Sequence, residues 1–279
     1  MFNNSLKKDA IAIHKIEVDK YNSAYDKMMK NCEALYDIRL KAIECITDIE
    51  ELINSIANTP KEFEKKMSII KSEKDNFKDT QEYINKSITE EIKSGAGIVT
   101  GVAAGGIFAG MAPNVVMGIA TTFGTASTGT AISALSGAAA KRAALAWIGR
   151  AVTAGAGGMA AGQAALALAG PIGWGITAVT TGASLISLSS QNKKIAKEAE
   201  EEAIRIATLR GNIQEIDAKI SNIFSETDLL VTNICVQNSR LMHCLNADYT
   251  QLDRDTQMEL GSLVNNTLAL SELLNKTVE

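Results

Sequence analysis

Apolar residues recur along the first part of the chain in alternating steps of three and four. The series is Ile11, His14, Val18, Tyr21, Tyr25, Met28, Cys32, Leu35, Arg39, Ala42, Ile46, Ile49, Ile53 and Ile56. A period of 3.5 residues keeps one face of a helix against a partner, so this pattern predicts one long helix over residues 11–56 with an a/d seam. Two members break the apolar rule. His14 reads as a partly buried or edge histidine, and Arg39 is expected to lay its alkyl stem along the seam with its charge in water.

A matching seam runs through residues 195–244: Ile195, Ala199, Glu202, Ile206, Leu209, Ile213, Ile216, Ile220, Ile223, Thr227, Leu230, Ile234, Gln237, Leu241 and Cys244. Gly211 is a mild weakness, and Thr227 and Gln237 are polar interruptions able to set register. Asn58-Thr59-Pro60 ends the first helix, and Pro60 suits the first turn of a second running towards Ser94. Its apolar stripe is thin: Phe63, Met67, Ile70, Phe77, Ile84 and Ile88. A break at residues 247–249 precedes a last helix carrying Leu252, Met258, Leu260, Leu263, Leu268, Leu270, Leu273 and Leu274. The shared period predicts that the two long helices pair as an antiparallel coiled coil.

Between these arms the pattern changes completely. Residues 94–190 hold 19 of the 21 glycines, no Asp or Glu, and only Lys141, Arg142 and Arg150 as charges. Interior glycine costs a helix about 0.5–1 kcal/mol relative to Ala. It suits helices that touch backbone to backbone, as membrane helices do. Gly97, Gly101 and Gly105 repeat every fourth residue, Gly110 continues beside them, and Gly158 and Gly162 form another such pair. These six are the expected helix-packing contacts. Gly95 to Ala112 is an uncharged run of 18 residues, near the lower limit for crossing about 30 Å of hydrocarbon. Lys141, Arg142, Trp147, Arg150 and Trp174 read as interfacial anchors.

The fold expected is therefore all-α: an elongated helical bundle with antiparallel coiled-coil arms and a central Gly/Ala-rich hydrophobic helical head. Its parts are an N-terminal arm (1–93), the apolar centre (94–190) and a C-terminal arm (191–279). Composition adds exclusions. The net charge of −4 and the lack of a basic surplus in either arm speak against nucleic acid. Cys32, Cys45, Cys235 and Cys244 lack zinc spacing, so no metal is expected. No GK[ST] follows the glycines, so they form no nucleotide site. No carboxylate pair is isolated in an apolar setting, and no catalytic residues or cofactor are assigned. The first twelve residues contain no long apolar run, so a classical signal peptide is not expected and synthesis is expected in the cytoplasm.

The segment from Phe123 to Gly162 includes Gly124-Thr-Ala-Ser-Thr-Gly-Thr-Ala-Ile, Leu145-Ala-Trp147 and Gly157-Gly-Met-Ala-Ala-Gly162. It resembles a glycine-rich module of bacterial helical proteins, and more distantly the small interferon-inducible glycine-rich membrane proteins of animals. The layout as a whole resembles the alpha-pore-forming toxins of the haemolysin E and tripartite enterotoxin type, which place a hydrophobic segment between long helices. These resemblances imply a membrane-associated, membrane-inserting helical protein that forms pores or perturbs bilayers after residues 94–190 change conformation. The partners expected are the lipid bilayer and either a second copy or a helical protein. The alternative reading is a constitutive integral membrane scaffold or regulatory protein whose coiled-coil arms bind a partner.

Overall fold

The computed structural model describes residues 4–93, 124, 126, 132, 143 and 188–278, and these form an elongated, all-α bundle of four helices without a strand. Helix α1 is Asn4–Ser55, α2 is Lys61–Lys93, α3 is Leu188–Leu241 and α4 is Arg254–Leu274. Two short 3-10 turns, Met242–Cys244 and Tyr249–Gln251, fill the link between α3 and α4. At 52 residues, α1 is roughly 78 Å long.

The α1 seam is the spine of the core. Every predicted member from His14 to Ile56 is buried, including Ile46, Ile49 and Ile53. Ile38, Cys45 and Leu52, spaced by heptads, add a second buried row in the section where α4 also meets α1 and where Tyr36 and Glu50 touch Phe77 and Lys74 of α2. Arg39 departs from its expected setting. It is 1% exposed, and its Nη2 donates to the carbonyl of Lys276, just beyond α4, at 2.8 Å. Desolvation lowers its pKa to about 9, since burial disfavours the charged form.

On α3 the buried face is turned by one residue at several points. Ala203, Asp217, Val231 and Asn238 are buried where Glu202, Ile216, Leu230 and Gln237 were expected. Ile220 and Ile223 are buried as predicted, while Ile216 is only half-buried against the core. Neighbouring helix positions lie about 100° apart, so two packing partners can bring either into the core. Asp217 has a specific reason to face inward: Asn31 Nδ2 donates to its Oδ1 at 2.6 Å, and Lys27 Nζ lies 3.0 Å from its Oδ2.

The expected antiparallel pairing is also corrected: α1 and α3 run parallel. Arg210 reaches Glu17, Asp217 pairs with Lys27 and Asn31, and Cys235 touches Cys45, so both numbers rise together. Helix α2 runs antiparallel to α1, with Phe77 against Tyr36 and Lys74 against Glu50. It runs parallel to α4, where Lys66 donates to Asn265 and Asn275 to Glu73. A seam's period carries no direction. The start of α3 lies beside the start of α1, where Ala196 and Ala199 pack on Ala10. The result is two helical hairpins side by side with their turns together.

Those turns are clasped. Ala57 N donates to Ala247 O at 2.8 Å, and Tyr249 N donates to Ala57 O at 2.9 Å, making a one-residue parallel bridge. Asn58 Nδ2 donates to Asp248 Oδ2 at 2.9 Å. Asn58 and Asn246 have φ of 56° and 61°, a left-handed conformation that Asn tolerates better than most side chains. Asp253 caps α4 by accepting from Thr256 N at 2.9 Å.

Tyr21 and Tyr25 are buried one turn apart with their rings stacked, centroids 6.4 Å apart. Burial raises the Tyr21 pKa to about 12 and raises that of Tyr25 as well. The unfolded phenols ionise near pH 10. Both therefore contribute stability that is fully present below pH 10 and is lost as pH rises through about 12. The melting temperature should fall steeply over that window. Tyr21→Phe with Tyr25→Phe should flatten the fall when melts are recorded at pH 9, 10 and 11. An equally steep decline in the double variant would remove the two phenols as its cause.

Candidate partner-binding surface

The outer side of the α3–α4 hairpin carries a groove of about 530 Å³. Its α3 wall is Asn233, Val236, Gln237 and Arg240, and its α4 wall is Asp255, Met258, Glu259 and Ser262. Both sets follow the spacing i, i+3, i+4, i+7, so each helix offers one continuous face. The heptad arithmetic that turns Ile234, Asn238 and Leu241 inward leaves the residues between them outside.

Val236 is 48% exposed and Met258 65% exposed, one on each wall. The pattern of the last helix names Met258 among its apolar residues, without a face assigned. Leu229, one heptad before Val236 and farther from the clasped turns, and Met242 and Leu245, beyond the end of α3 on the side of those turns, are also exposed. Gln237 fixes the floor: its Nε2 donates to the Glu259 carbonyl at 3.0 Å, and Asn266 Nδ2 donates to its Oε1 at 3.3 Å. Arg240, Asp255 and Glu259 put charge of both signs on the rims. One exposed apolar side chain on each wall thus sits among six polar or charged ones on a two-helix frame.

A second groove of about 500 Å³ lies between α1 and α3, lined by Ala24, Lys27, Gln214, Asp217, Ala218, Ser221, Asn222 and Ser225. It is polar and bordered by small side chains. Among the described residues, no group of three His, Cys, Asp or Glu is placed to hold a metal ion.

Of the predicted site residues, the seam members Ile46, Ile49, Ile53, Ile220 and Ile223 meet in one core, with Ile216 at its edge. Gly97, Gly101, Gly105, Gly110, Gly158, Gly162, Lys141, Arg142, Trp147, Arg150 and Trp174 lie outside the described residues. The membrane reading is corrected. No helix among the described residues is long and apolar enough to cross a membrane. Ile132, from the apolar centre, is fully buried in the same core as residues of α1, α2, α3 and α4. That stands against the pore-forming function, the bilayer partner and the membrane localisation expected from the sequence.

The groove was not anticipated. Its one legible signal is the pair Leu229 and Val236, apolar residues a heptad apart but off the seam. No family model matches the chain, and no curated protein or solved structure is similar to it.

Proposed function

We propose that this protein is a non-catalytic scaffold or regulatory protein whose helical arms bind a partner helix. In this reading α1 and α3 act as a parallel coiled coil that stiffens the molecule, and the α3–α4 groove is the docking surface. The observation that carries it is the double i, i+3, i+4, i+7 lining of that groove, with Val236 and Met258 exposed at its centre. An amphipathic helix laid into such a groove meets apolar anchors at its own matching spacing. The charges of Arg240, Asp255 and Glu259 would then select orientation more than affinity.

A photo-crosslinking side chain placed at Val236 should capture a discrete helical protein in the native cells. Met258→Asp on the opposite wall should reduce that adduct by about tenfold, the effect of losing roughly 1.4 kcal/mol at one anchor. The melting temperature should stay within a few degrees, because Met258 is already in solvent. The same adduct at full yield in the Met258→Asp protein would overturn the assignment of the groove.

A further inference from the structure

Cys45 and Cys235 face each other across the α1–α3 contact with their sulfurs 2.6 Å apart, and both are free thiols. That is about 0.6 Å longer than a disulfide bond. The contact is held from both sides along the parallel helices. Asn31 bonds to Asp217 on one side of the pair, and Ala57 bridges to Asp248 on the other. The two thiols therefore need no sliding of helices to come together. Their exposure is unequal: Cys45 is buried and Cys235 is partly open to solvent. Cys32 and Cys244 have no described thiol neighbour; Cys244 Sγ instead lies 3.4 Å from His243 Nε2.

We propose that Cys45 and Cys235 are a redox modification site, closed into an intrachain disulfide by a hydroperoxide, which staples α1 to α3. Cys235 is the entry thiol. Its thiolate attacks the near oxygen of the hydroperoxide, an S–O bond forms and the O–O bond breaks. The departing oxygen takes a proton and leaves as an alcohol, or as water from hydrogen peroxide. Cys45 then attacks the sulfenic sulfur. The S–S bond forms, the S–O bond breaks, and hydroxide leaves with the Cys45 proton as water. Two thiols lose two electrons in total, and the peroxide gains them. Burial, with the neighbouring Cys235 sulfur and Asp48 adding to it, pushes the Cys45 thiol well above its ordinary pKa. Cys45 thus stays protonated and unreactive until Cys235 has been oxidised beside it.

The bond would close a loop running from Cys45 to Cys235 and so containing the whole apolar centre of the chain. Loops this long lose much unfolded-state entropy on cross-linking. The test treats the full-length protein with hydrogen peroxide, followed by peptide mapping without reduction. A linked Cys45–Cys235 peptide, 2 Da lighter than its two thiol halves and released by dithiothreitol, is expected. It should form equally in Cys244→Ala and be lost in Cys235→Ser. The oxidised wild type should melt on the order of 10 °C higher than the reduced form. Cys235 appearing only as sulfinic acid, a link to Cys32 or Cys244, or a link between two chains would overturn the proposal. So would a Cys45–Cys235 link that leaves the melting temperature unchanged.

Discussion

Ile220→Asp should lower the melting temperature by more than 10 °C, whereas Ile216→Asp, four residues away on the same helix, should lower it by a few degrees. Ile220 is fully buried among residues of α1 and α3, while Ile216 only borders the core. Losing the buried Ile side chain forfeits about 1.5–3 kcal/mol of apolar burial. A carboxylate put in its place adds a desolvation cost of several more unless it takes up a proton. The total of about 5 kcal/mol corresponds to roughly 10–20 °C for a chain of this size. At position 216 the new carboxylate turns towards water and the loss is about 1–2 kcal/mol. Thermal melts followed by far-ultraviolet circular dichroism read both. Equal losses in the two variants would mean that the α3 seam runs through Ile216, as the apolar series alone suggests.

That contrast marks what the sequence could carry. The α1 seam was legible from His14 to Ile56 because its apolar row is nearly unbroken, but the second buried row of Ile38, Cys45 and Leu52 and the inward turn of Arg39 were not. The α3 seam was legible in period, and in phase at Ala199, Ile206, Leu209, Ile220, Ile223, Thr227, Ile234, Leu241 and Cys244, but not at Glu202, Ile216, Leu230 and Gln237. Glu202, Thr227 and Gln237 already weakened it, and the burial of Asp217 depends on Lys27 and Asn31, which are 190 and 186 residues away in the chain. No local pattern contains that pairing. Direction was invisible for a related reason: a heptad row has no arrow. The direction shows only in long-range pairs such as Arg210 with Glu17 and Cys235 with Cys45.

The candidate surface was still less legible. Patterning assigns apolar residues to a core, so it cannot distinguish Met258, which is exposed, from Leu260 and Leu263, which are buried beside it. Which face of α4 turns inward is settled by contacts to α2 and α3 together. The clasp at the turns rests on Asn58 and Asn246 taking positive φ, and Asn is one of several residues that do so. The glycine-rich centre read as a membrane unit because its composition matches one. Ile132 shows how that inference fails: an apolar residue is equally at home against protein.

The link between α1 and α2 supplies the other large effect. Lys74 and Glu50 form an ion pair and hydrogen bond, with side chains only 8% and 16% exposed. Two charges brought this far from water recover their desolvation cost mainly through each other. Glu50→Leu leaves an ammonium in the contact without its carboxylate, and should cost about 3–4 kcal/mol. Lys74→Met strands the carboxylate and should cost somewhat less, because Glu50 keeps more access to solvent. The double variant Glu50→Leu with Lys74→Met removes both desolvation terms, and apolar side chains of similar volume fill the space. It should return to within about 1 kcal/mol of the starting protein. The four melting curves of this cycle, converted to free energies by urea titration, give the coupling directly. Single losses that simply add in the double variant would mean that the pair is solvated and that the α1–α2 contact rests on Tyr36, Phe77 and their apolar neighbours alone. Salt offers an independent reading, since a pair this buried is screened far less than a surface one. The coupling should survive 0.5 M sodium chloride, and a coupling that vanished there would place the pair in water.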